Sequence, residues 1–467
     1  MEIFNEMINN AGNPRLGAEK VYNYFNSLSI SDLEKKQEVL KLAMLNMGIT
    51  FNVYSDEGGT ERIIPFDIIP RIIQQKEWTS LEKGLIQRIR ALNLFLNDIY
   101  SDQKILKDKT LPAETVLGSK GFLKQCMGIK PAKGIYTHIS GIDLIRDQKG
   151  KFAVLEDNLR CPSGVSYMLQ NRELSKKGLS DLLSENPIRP ISQYPEKLFE
   201  SLQFLSDNAS PTIAVLTPGI YNSAYYEHSF LAQQMGVELV DFRDLRVDGG
   251  KLKYKTTKGY KTIDVLYRRL DDVFIDPKVF NSNSLIGIPG LFDVYKNSEL
   301  ALANALGTGV ADDKVIYTYI PEVIKYYLNE EPIIANVETY LCGREKDLTY
   351  VLANLETLVV KEANEAGGYG MLIGPHASKE EIANFRRKIS QNPRNYIAQP
   401  TISLSTTPCF IDSEINSRHI DLRPYVLYGK EIYVCPGGLT RVALKEGSLV
   451  VNSSQGGGSK DTWVFED

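Results

Sequence analysis

The sequence is poor in histidine and cysteine and lacks several common catalytic motifs. Its four histidines form no HExxH pattern and its five cysteines form no CxxC pair, which argues against a zinc site and against a redox dithiol. We therefore expect the cysteines to be buried free thiols. The patterns GxxxxGK[ST], GxGxxG and GxSxG are also missing, so a P-loop, a dinucleotide fingerprint and a nucleophile elbow are not predicted.

A surplus of positive charge and long apolar runs are absent too. The 54 lysines and arginines are outnumbered by 58 acidic residues, giving a net charge of −4, whereas a nucleic-acid-binding face needs a basic surplus. No apolar run reaches the roughly 18 residues of a membrane span, and the N-terminus lacks the apolar core of a secretory peptide. We expect a cytoplasmic protein that binds neither nucleic acid nor membrane; a homodimer stays open. Its chemistry must then rest on carboxylates, lysines, arginines and backbone amides, which suit magnesium and phosphate.

Hydrophobic periodicity predicts an α/β protein. In a helical N-terminal region, apolar residues from Leu81 to Phe95 recur at helical spacing. Two apolar runs, PTIAVLTPG and GVELVDF, flank a helical stretch over 225–235, and this strand–helix–strand pattern predicts a small parallel α/β domain. Further helices are expected over 297–305 and 314–328, followed by strand-rich sequence nearly to the end.

Two alternating segments on either side of Lys149-Gly150 predict an acidic hairpin, because this dipeptide can form a two-residue turn. In that register Asp143 lies directly opposite Glu156, and Asn158 follows on the same face. Two like charges at opposed positions destabilise a sheet, whereas two carboxylates and an amide oxygen suit a magnesium ion. The alternative is a longer turn, a shifted register and acids that simply face water.

A lysine and a glycine-rich loop form a second candidate site. An apolar strand ends at Lys361, and a second apolar strand follows the loop EANEAGGYG. The loop glycines are Gly367, Gly368 and Gly370. They would let backbone N–H groups approach phosphate oxygens while the lysine supplies positive charge. The alternative is a flexible hairpin with an exposed lysine.

Two isolated residues are weaker candidates. Lys314 stands just inside a predicted helix that Asp312 can cap. A helix start does not favour a lysine, which suggests a ligand role, although a solvated lysine is the alternative. Gln399 lies at a strand end, where its side chain and backbone could meet an adenine edge.

Six sequence strings resemble the circularly permuted ATP-grasp family (type 2). They run in the family's order over about residues 140–467, and they are VLEDNLRCPSGVSYMLQNR, YRRLDD, NALGTGVADDK, VVKEANEAGGYGM, HIDLRPYVL and GGLTRVALKEGSLVVNSSQGGGSKDTWV. More distantly, they are similar to the synthetase domain of glutathionylspermidine synthase. The resemblance implies an α/β, circularly permuted ATP-grasp fold. Its expected parts are a helical N-terminal region (1–118), the metal-site hairpin segment (119–198), a small α/β pre-ATP-grasp-like domain (199–264) and nucleotide-binding lobes (265–467).

The function that the resemblance implies is ATP-dependent ligation of a carboxylate to an amine through an acyl phosphate. ATP and magnesium, as two ions, would be required, and the acid and amine would be small molecules or peptides. Two alternatives stay open: transfer of phosphate to a small molecule without ligation, and a nucleotide-binding scaffold without catalysis.

The resemblance also implies roles for individual residues. Asp143, Glu156 and Asn158 match the magnesium ligands. The nucleotide would contact Lys314, Lys361, the loop of Gly367, Gly368, Tyr369 and Gly370, and Gln399 at the adenine hinge. Arg441 resembles the arginine that faces the transferring phosphoryl group, with Arg423 as a second candidate.

Substrate residues are less defined by the sequence. Anionic substrate groups could meet Arg160, Ser163, Arg268 and Arg269. The glutathionylspermidine enzymes carry an arginine two residues before the first acid, where this sequence has Gly141, so an identical acyl substrate is in doubt. No general base is selected, although Asp157 and Glu365 are candidates.

Overall fold

The N-terminal region is mainly helical, as predicted. The computed structural model of the protein describes residues 3–49, 51–53, 60–62, 64–363, 370–452 and 456–466. The first elements are α1 (Glu19–Ser27), α2 (Ile30–Asn46), β1 (Phe51–Val53), β2 (Thr60–Arg62), β3 (Phe66–Ile73), α3 (Gln75–Ile99), α4 (Lys104–Lys107) and α5 (Ala113–Leu117). Helix α3 buries the apolar residues that recur at helical spacing, which are Leu81, Leu85, Ile89, Leu92 and Phe95. It also buries two polar side chains, Gln87 and Arg88.

The middle of the chain supplies the acidic hairpin and the small α/β domain. Its elements are β4 (Ile139–Arg146), β5 (Phe152–Asn158), α6 (Val165–Gly178), α7 (Ser180–Ser184), α8 (Tyr194–Gln203), β6 (Ile213–Leu216), α9 (Tyr225–Met235), β7 (Glu238–Val240), β8 (Leu245–Asp248), β9 (Lys251–Thr256), β10 (Gly259–Thr262), β11 (Val265–Arg268), α10 (Leu291–Lys296) and β12 (Ala301–Ala303).

The small parallel sheet has the predicted β6–α9–β7 unit at its edge. Its strand order is β12-β11-β6-β7, and all three pairings are parallel. The helix expected over 297–305 is wrong, because β12 occupies this stretch and pairs with β11. Since β11 and β12 begin at Val265 and Ala301, the parallel sheet extends past the predicted boundary at residue 264.

The last third of the chain contains mostly strands. Its elements are α11 (Lys314–Tyr317), α12 (Ile320–Leu328), β13 (Ala335–Asn336), β14 (Tyr340–Leu341), α13 (Glu345–Ala353), β15 (Leu358–Glu362), β16 (Met371–Ile373), α14 (Lys379–Gln391), β17 (Tyr396–Pro400), β18 (Thr406–Ile411), β19 (Glu414–Arg423), β20 (Tyr425–Tyr428), β21 (Ile432–Val434), β22 (Leu439–Val442) and β23 (Gly458–Val464). The single helix expected over 314–328 is instead two helices. The second of them begins beside Pro321, whose ring favours a first turn over a helix interior.

Two sheets position the candidate site. In the described residues the central sheet has the order β13-β5-β4-β19-β22-β23-β3, with β18, β20 and β21 attached to its side. Strand β3 joins it through a parallel pairing with β23, so the N-terminal region contributes one strand to this sheet as well as helices. The second sheet has the order β14-β17-β15-β16 and its own apolar core with α13 and α14.

Two further expectations can be compared with the fold. The described helices include none that is both long and apolar enough to cross a bilayer. All five cysteines are free, and four of them are buried while Cys161 is half-buried. The prediction of buried free thiols is therefore confirmed for four of the five cysteines. Burial raises the pKa of each thiol, which disfavours the reactive thiolate.

Candidate active site

A cleft lies between the central sheet and the second sheet. Its first cavity encloses about 140 Å³ and is lined from one side by β4, β5, β19 and β22 and from the other by β15, β16 and β17. One end is apolar and includes Val359, Ile373, Ile402, Leu404 and Leu449. The other end is charged, and its residues are Asp143, Glu156, Lys314, Lys361, Asp421 and Arg441.

Asp143 and Glu156 pair across the hairpin as predicted, although the turn and the strand register between them differ from the prediction. The turn is longer than two residues: the N–H of Asp147 donates to the carbonyl of Lys151, and pairing starts at Arg146 and Phe152. This offset would shift the register by one residue. A β-bulge at Leu155 restores it, so Asp143 lies directly opposite Glu156.

Asp143 is fully buried beneath two arginines. Arg423 contacts both carboxylate oxygens, and Nη2 of Arg441 donates to Oδ2 over 2.7 Å. Burial alone would raise the pKa of this carboxyl, but the charges of Arg423 and Arg441 outweigh burial and hold the pKa far below its ordinary value. Asp143 is therefore an anion held in place by the two residues predicted to be catalytic.

The partner of Arg441 on the neighbouring strand is a residue that the sequence analysis missed. Asp421 pairs with Arg441 across β19 and β22, and the guanidinium Nε donates to its carboxylate over 2.9 Å. Burial raises the pKa of Asp421, against the opposing effect of Arg441. The string HIDLRPYVL contained this acid, and its position two residues before Arg423, on the same strand face, was the available signal.

Lys361 and Gln399 meet on adjacent strands of the second sheet. Nζ of Lys361 donates to Oε1 of Gln399 over 2.9 Å, and the Gln399 amide donates to Thr339 over 3.0 Å. Burial lowers the pKa of Lys361 to about 8, with the nearby Lys314 charge acting in the same direction and Glu156 in the opposite one. The Gln399 side chain thus holds Lys361 in place, and Gln399 itself lines the first cavity.

Lys314 reaches the same charged end from α11. Asp313, and not Asp312 as predicted, caps this helix by accepting the N–H of Val315. Nζ of Lys314 lies 3.8 Å from Oε2 of Glu156. The two lysines and the two acids predicted from separate segments therefore converge in one place.

A second cavity begins on the other side of Glu156 and Lys314, which line both cavities. It encloses about 200 Å³, and its wall includes Asn158, Arg160 and Asp271. Asn158 donates its amide to the carbonyl of Gly141 over 3.1 Å. Arg160 forms ion pairs with Asp312 and with Asp271. Of the predicted substrate residues, Arg160 lines this cavity.

The other predicted substrate residues are used inside the protein. Arg268 is fully buried and pairs with Asp272, while Arg269 is buried and pairs with Glu227. The Ser163 carbonyl accepts hydrogen bonds from Arg423 and Tyr425. Arg268 and Arg269 therefore form ion pairs inside the protein, and neither of them lines either cavity.

Part of the predicted phosphate loop lies outside the described residues. This applies to Gly367, Gly368 and Tyr369, and also to Glu365. Gly370 is described and has φ of +65°, a left-handed conformation that glycine adopts without strain. An added Cβ at this glycine would lie 3.0–3.1 Å from the Glu362 side chain, so Gly370 lies close to the end of β15.

The donor set around the hairpin fits a magnesium ion in kind. Magnesium prefers oxygen ligands and is bound through one or two carboxylates, which Asp143, Glu156 and Asn158 supply as two carboxylates and one amide oxygen. No cluster of three or more histidine, cysteine or acidic side chains suited to a metal occurs within the described ranges. A magnesium ion bound here would therefore also need the amide oxygen of Asn158 or oxygen atoms of a bound small molecule.

Comparison with known proteins identifies the family. The family described as circularly permuted ATP-grasp type 2 matches residues 70–443 of the chain. The chain belongs to this family. Members use ATP and a divalent metal in general, which agrees with the charged end of the first cavity.

Relatives and a solved structure extend this result. An uncharacterized protein of Synechocystis sp. is 58% identical over 466 residues, covering 99% of this ATP-grasp chain and 97% of that protein. A Frankia casuarinae protein with the provisional name glutamate--cysteine ligase 2-2 is 39% identical over 465 residues, covering 99% of this chain and 53% of that protein. A glutathione synthetase-like effector from Globodera pallida, solved in its apo form, covers 94% of this chain and is itself covered to 98%, with a TM-score of 0.58 and 12% identity. The last similarity concerns the fold alone.

Proposed function

We propose that this ATP-grasp protein is an ATP-dependent carboxylate–amine ligase. The observation that carries the proposal is the shared wall of Glu156 and Lys314, which lies between a cavity with an apolar end and a cavity lined mainly by charged and polar residues. A nucleotide suits the first cavity, since its base needs an apolar slot and its phosphates need cations. The substrates then enter from the second cavity. The provisional ligase name of the Frankia relative supports the same reaction class.

The charged end of the first cavity suits a triphosphate. Three cations line that end beside the carboxylates of Asp143, Glu156 and Asp421, and they are Lys314, Lys361 and Arg441. Arg423 adds a fourth positive charge through its ion pair with Asp143. Phosphoryl transfer depends on positioning and electrostatic stabilisation more than on covalent help from the protein. Lys361, held by Gln399, and Arg441, held by Asp421, are positioned before any ligand arrives.

The hairpin would hold magnesium through Asp143, Glu156 and Asn158. A bound ion of this kind neutralises phosphate charge during transfer. In the ligand-free protein, Arg423 and Arg441 neutralise Asp143 instead. We infer that incoming phosphate oxygens compete with Asp143 for Arg441, which leaves a carboxylate oxygen available to the metal.

The proposed reaction has two balanced steps. A substrate carboxylate oxygen attacks the γ-phosphorus, the bond from that phosphorus to the bridging oxygen breaks, and ADP leaves with the electron pair. The amine nitrogen then attacks the acyl carbon, the carbon–oxygen bond to phosphate breaks, and the nitrogen loses a proton. Asp157 is not a suitable base for that proton, because Arg88 already binds both of its oxygens at 2.7 Å.

Trapping with hydroxylamine tests the reaction class. We expect pools of carboxylic acids, with ATP, magnesium and hydroxylamine, to yield a hydroxamate together with equal amounts of ADP and free phosphate. ADP without free phosphate would instead indicate phosphate transfer to a small molecule. Nucleotide binding with no ADP from any pool would favour a scaffold without catalysis.

Nucleotide affinity is expected to fall as the pH rises through about 8. The pKa of Lys361 is lowered to about 8 by burial, so its positive charge is present below that pH and is lost above it. Calorimetry with a non-hydrolysable ATP analogue should show a loss of about tenfold between roughly pH 7 and 9.5. Lys361→Ala should bind about tenfold more weakly at pH 7 and show a flatter pH profile.

Lys379→Ala provides the matched control, because Lys379 is an exposed lysine at the start of α14. Its affinity should equal that of the parent at every pH. Equal binding of the analogue by Lys361→Ala and the parent at pH 7 would contradict the role of Lys361.

A further inference from the structure

The second cavity is placed to deliver a substrate to the reaction centre. It shares Glu156 and Lys314 with the first cavity, so a group bound there reaches the charged end where the phosphates are expected. It encloses about 200 Å³, against about 140 Å³ for the first cavity, so a second ligand can bind beside the nucleotide.

Several acidic residues that line the second cavity already form ion pairs with arginines inside the protein. Asp157 pairs with Arg88, and Asp313 pairs with Arg394. Asp272, likewise, is paired within the buried interior of the protein. The negative charges of these buried carboxylates are neutralised by arginines, so the carboxylates contribute little to binding a ligand.

The more exposed charges at the mouth of the second cavity have opposite signs, and Arg160 and Asp271 pair with each other there. Asp271 is 48% exposed, and its carboxylate lies 3.5 Å from Arg160. Lys120 is an exposed cation that lines the same cavity. Arg160 extends between Asp271 and Asp312, with Nε 2.6 Å from the latter. A ligand that fits all of these groups carries one positive and one negative charge.

Two glycines lie in the cavity wall beside these charges. A Cβ added at Gly121, next to Lys120, would lie 2.3 Å from the carbonyl of Gly309. A Cβ added at Gly309 would lie 3.0 Å from Cδ of Arg160. The backbone beside Lys120 therefore contacts the glycine that lies beside Arg160, and both cations line the second cavity, where they can bind a carboxylate.

We propose that the second cavity binds the amine substrate and that this substrate is an amino acid. Its carboxylate is held by Lys120 and Arg160. Its amino group is received as an ammonium at Asp271, transfers a proton to that carboxylate and then attacks the acyl carbon near Glu156. This inference rests on the proposed ligase function and adds the class of the acceptor to it.

Calorimetry with the twenty proteinogenic L-amino acids tests the inference. Each is titrated into the full chain in the presence of magnesium and a non-hydrolysable ATP analogue. We expect at least one to bind, and its decarboxylated and deaminated analogues to bind about tenfold more weakly or not at all. Asp271→Asn and Lys120→Met should each weaken the amino acid about tenfold and leave the affinity for the ATP analogue unchanged.

Matched controls are available on nearby elements. Asp293→Asn and Lys124→Met change exposed residues that do not line the second cavity, and both should bind the amino acid as the parent does. If the ATP analogue binds and none of the amino acids does, the amino-acid inference is overturned while the ligase proposal stands. Equal binding of the decarboxylated amine would also overturn it. Loss of ATP-analogue binding in the parent would instead count against the proposed function.

Discussion

Replacing Glu156 with glutamine is expected to abolish ATP turnover and leave the fold intact. Glutamine has nearly the same shape, so the pairing with Asp143 across the hairpin is kept. The variant removes the carboxylate that faces both cavities and lies 3.8 Å from Nζ of Lys314. Loss of one well-placed electrostatic group typically costs on the order of 10²–10³-fold in turnover, and loss of a metal ligand adds to that cost.

The measurement is the release of ADP under the hydroxylamine conditions, together with circular dichroism and thermal unfolding of both proteins. Glu380→Gln is the control, because Glu380 is an exposed glutamate on α14 and its variant should turn over ATP at the parental rate. Equal ADP release by Glu156→Gln and the parent across all acid pools would remove Glu156 from the reaction. A lower melting temperature together with lost activity would assign Glu156 a structural role.

The hairpin shows how a local pattern can predict a contact without predicting the route to it. Alternation along the two segments identified both strands and the facing of Asp143 and Glu156. The alternation did not indicate that the hairpin loop contains one residue more than predicted or that Leu155 forms a bulge. Both departures shift the register by one residue, in opposite directions, so the pairing at the acids is preserved.

Ion pairs between buried side chains could not be predicted in the same way. Arg268 and Arg269 were predicted to contact substrate. The sequence does not indicate which acidic residue pairs with an arginine, because that depends on the folded chain. Their partners Asp272 and Glu227 are both buried, and burial of a charge requires such compensation. Asp421 was missed for the same reason, since its pairing with Arg441 depends on the packing of β19 against β22.

The two lysines were linked to each other only through the resemblance. Lys314 and Lys361 are far apart in the sequence, and each alone fits an exposed side chain equally well. In the structure the N–H of Lys314 donates to the carbonyl of Ala363, over 3.0 Å, so α11 begins against the end of β15. This backbone contact places both ammonium groups at one end of the first cavity.

A buried pair beneath the hairpin carries the largest expected effect on stability. Arg88 of α3 donates from Nε and Nη2 to the two oxygens of Asp157, each over 2.7 Å, and from Nη1 to Asn336 over 2.8 Å. The two charged side chains are 2% and 0% exposed. The pair joins the N-terminal helix to β5, the strand that also carries Glu156 and Asn158.

Arg88→Met should therefore lower the free energy of unfolding by about 3–5 kcal/mol, because it leaves the Asp157 carboxylate buried without a partner. Urea unfolding followed by circular dichroism measures this loss. Arg90→Met, two residues along the same helix and exposed, should stay within about 0.5 kcal/mol of the parent. Adding Asp157→Asn to Arg88→Met removes the uncompensated charge and should restore part of the loss, whereas further destabilisation would show that Asp157 is held mainly by other groups. A cost for Arg88→Met no greater than that of Arg90→Met would mean that α3 is attached to the hairpin by apolar packing alone.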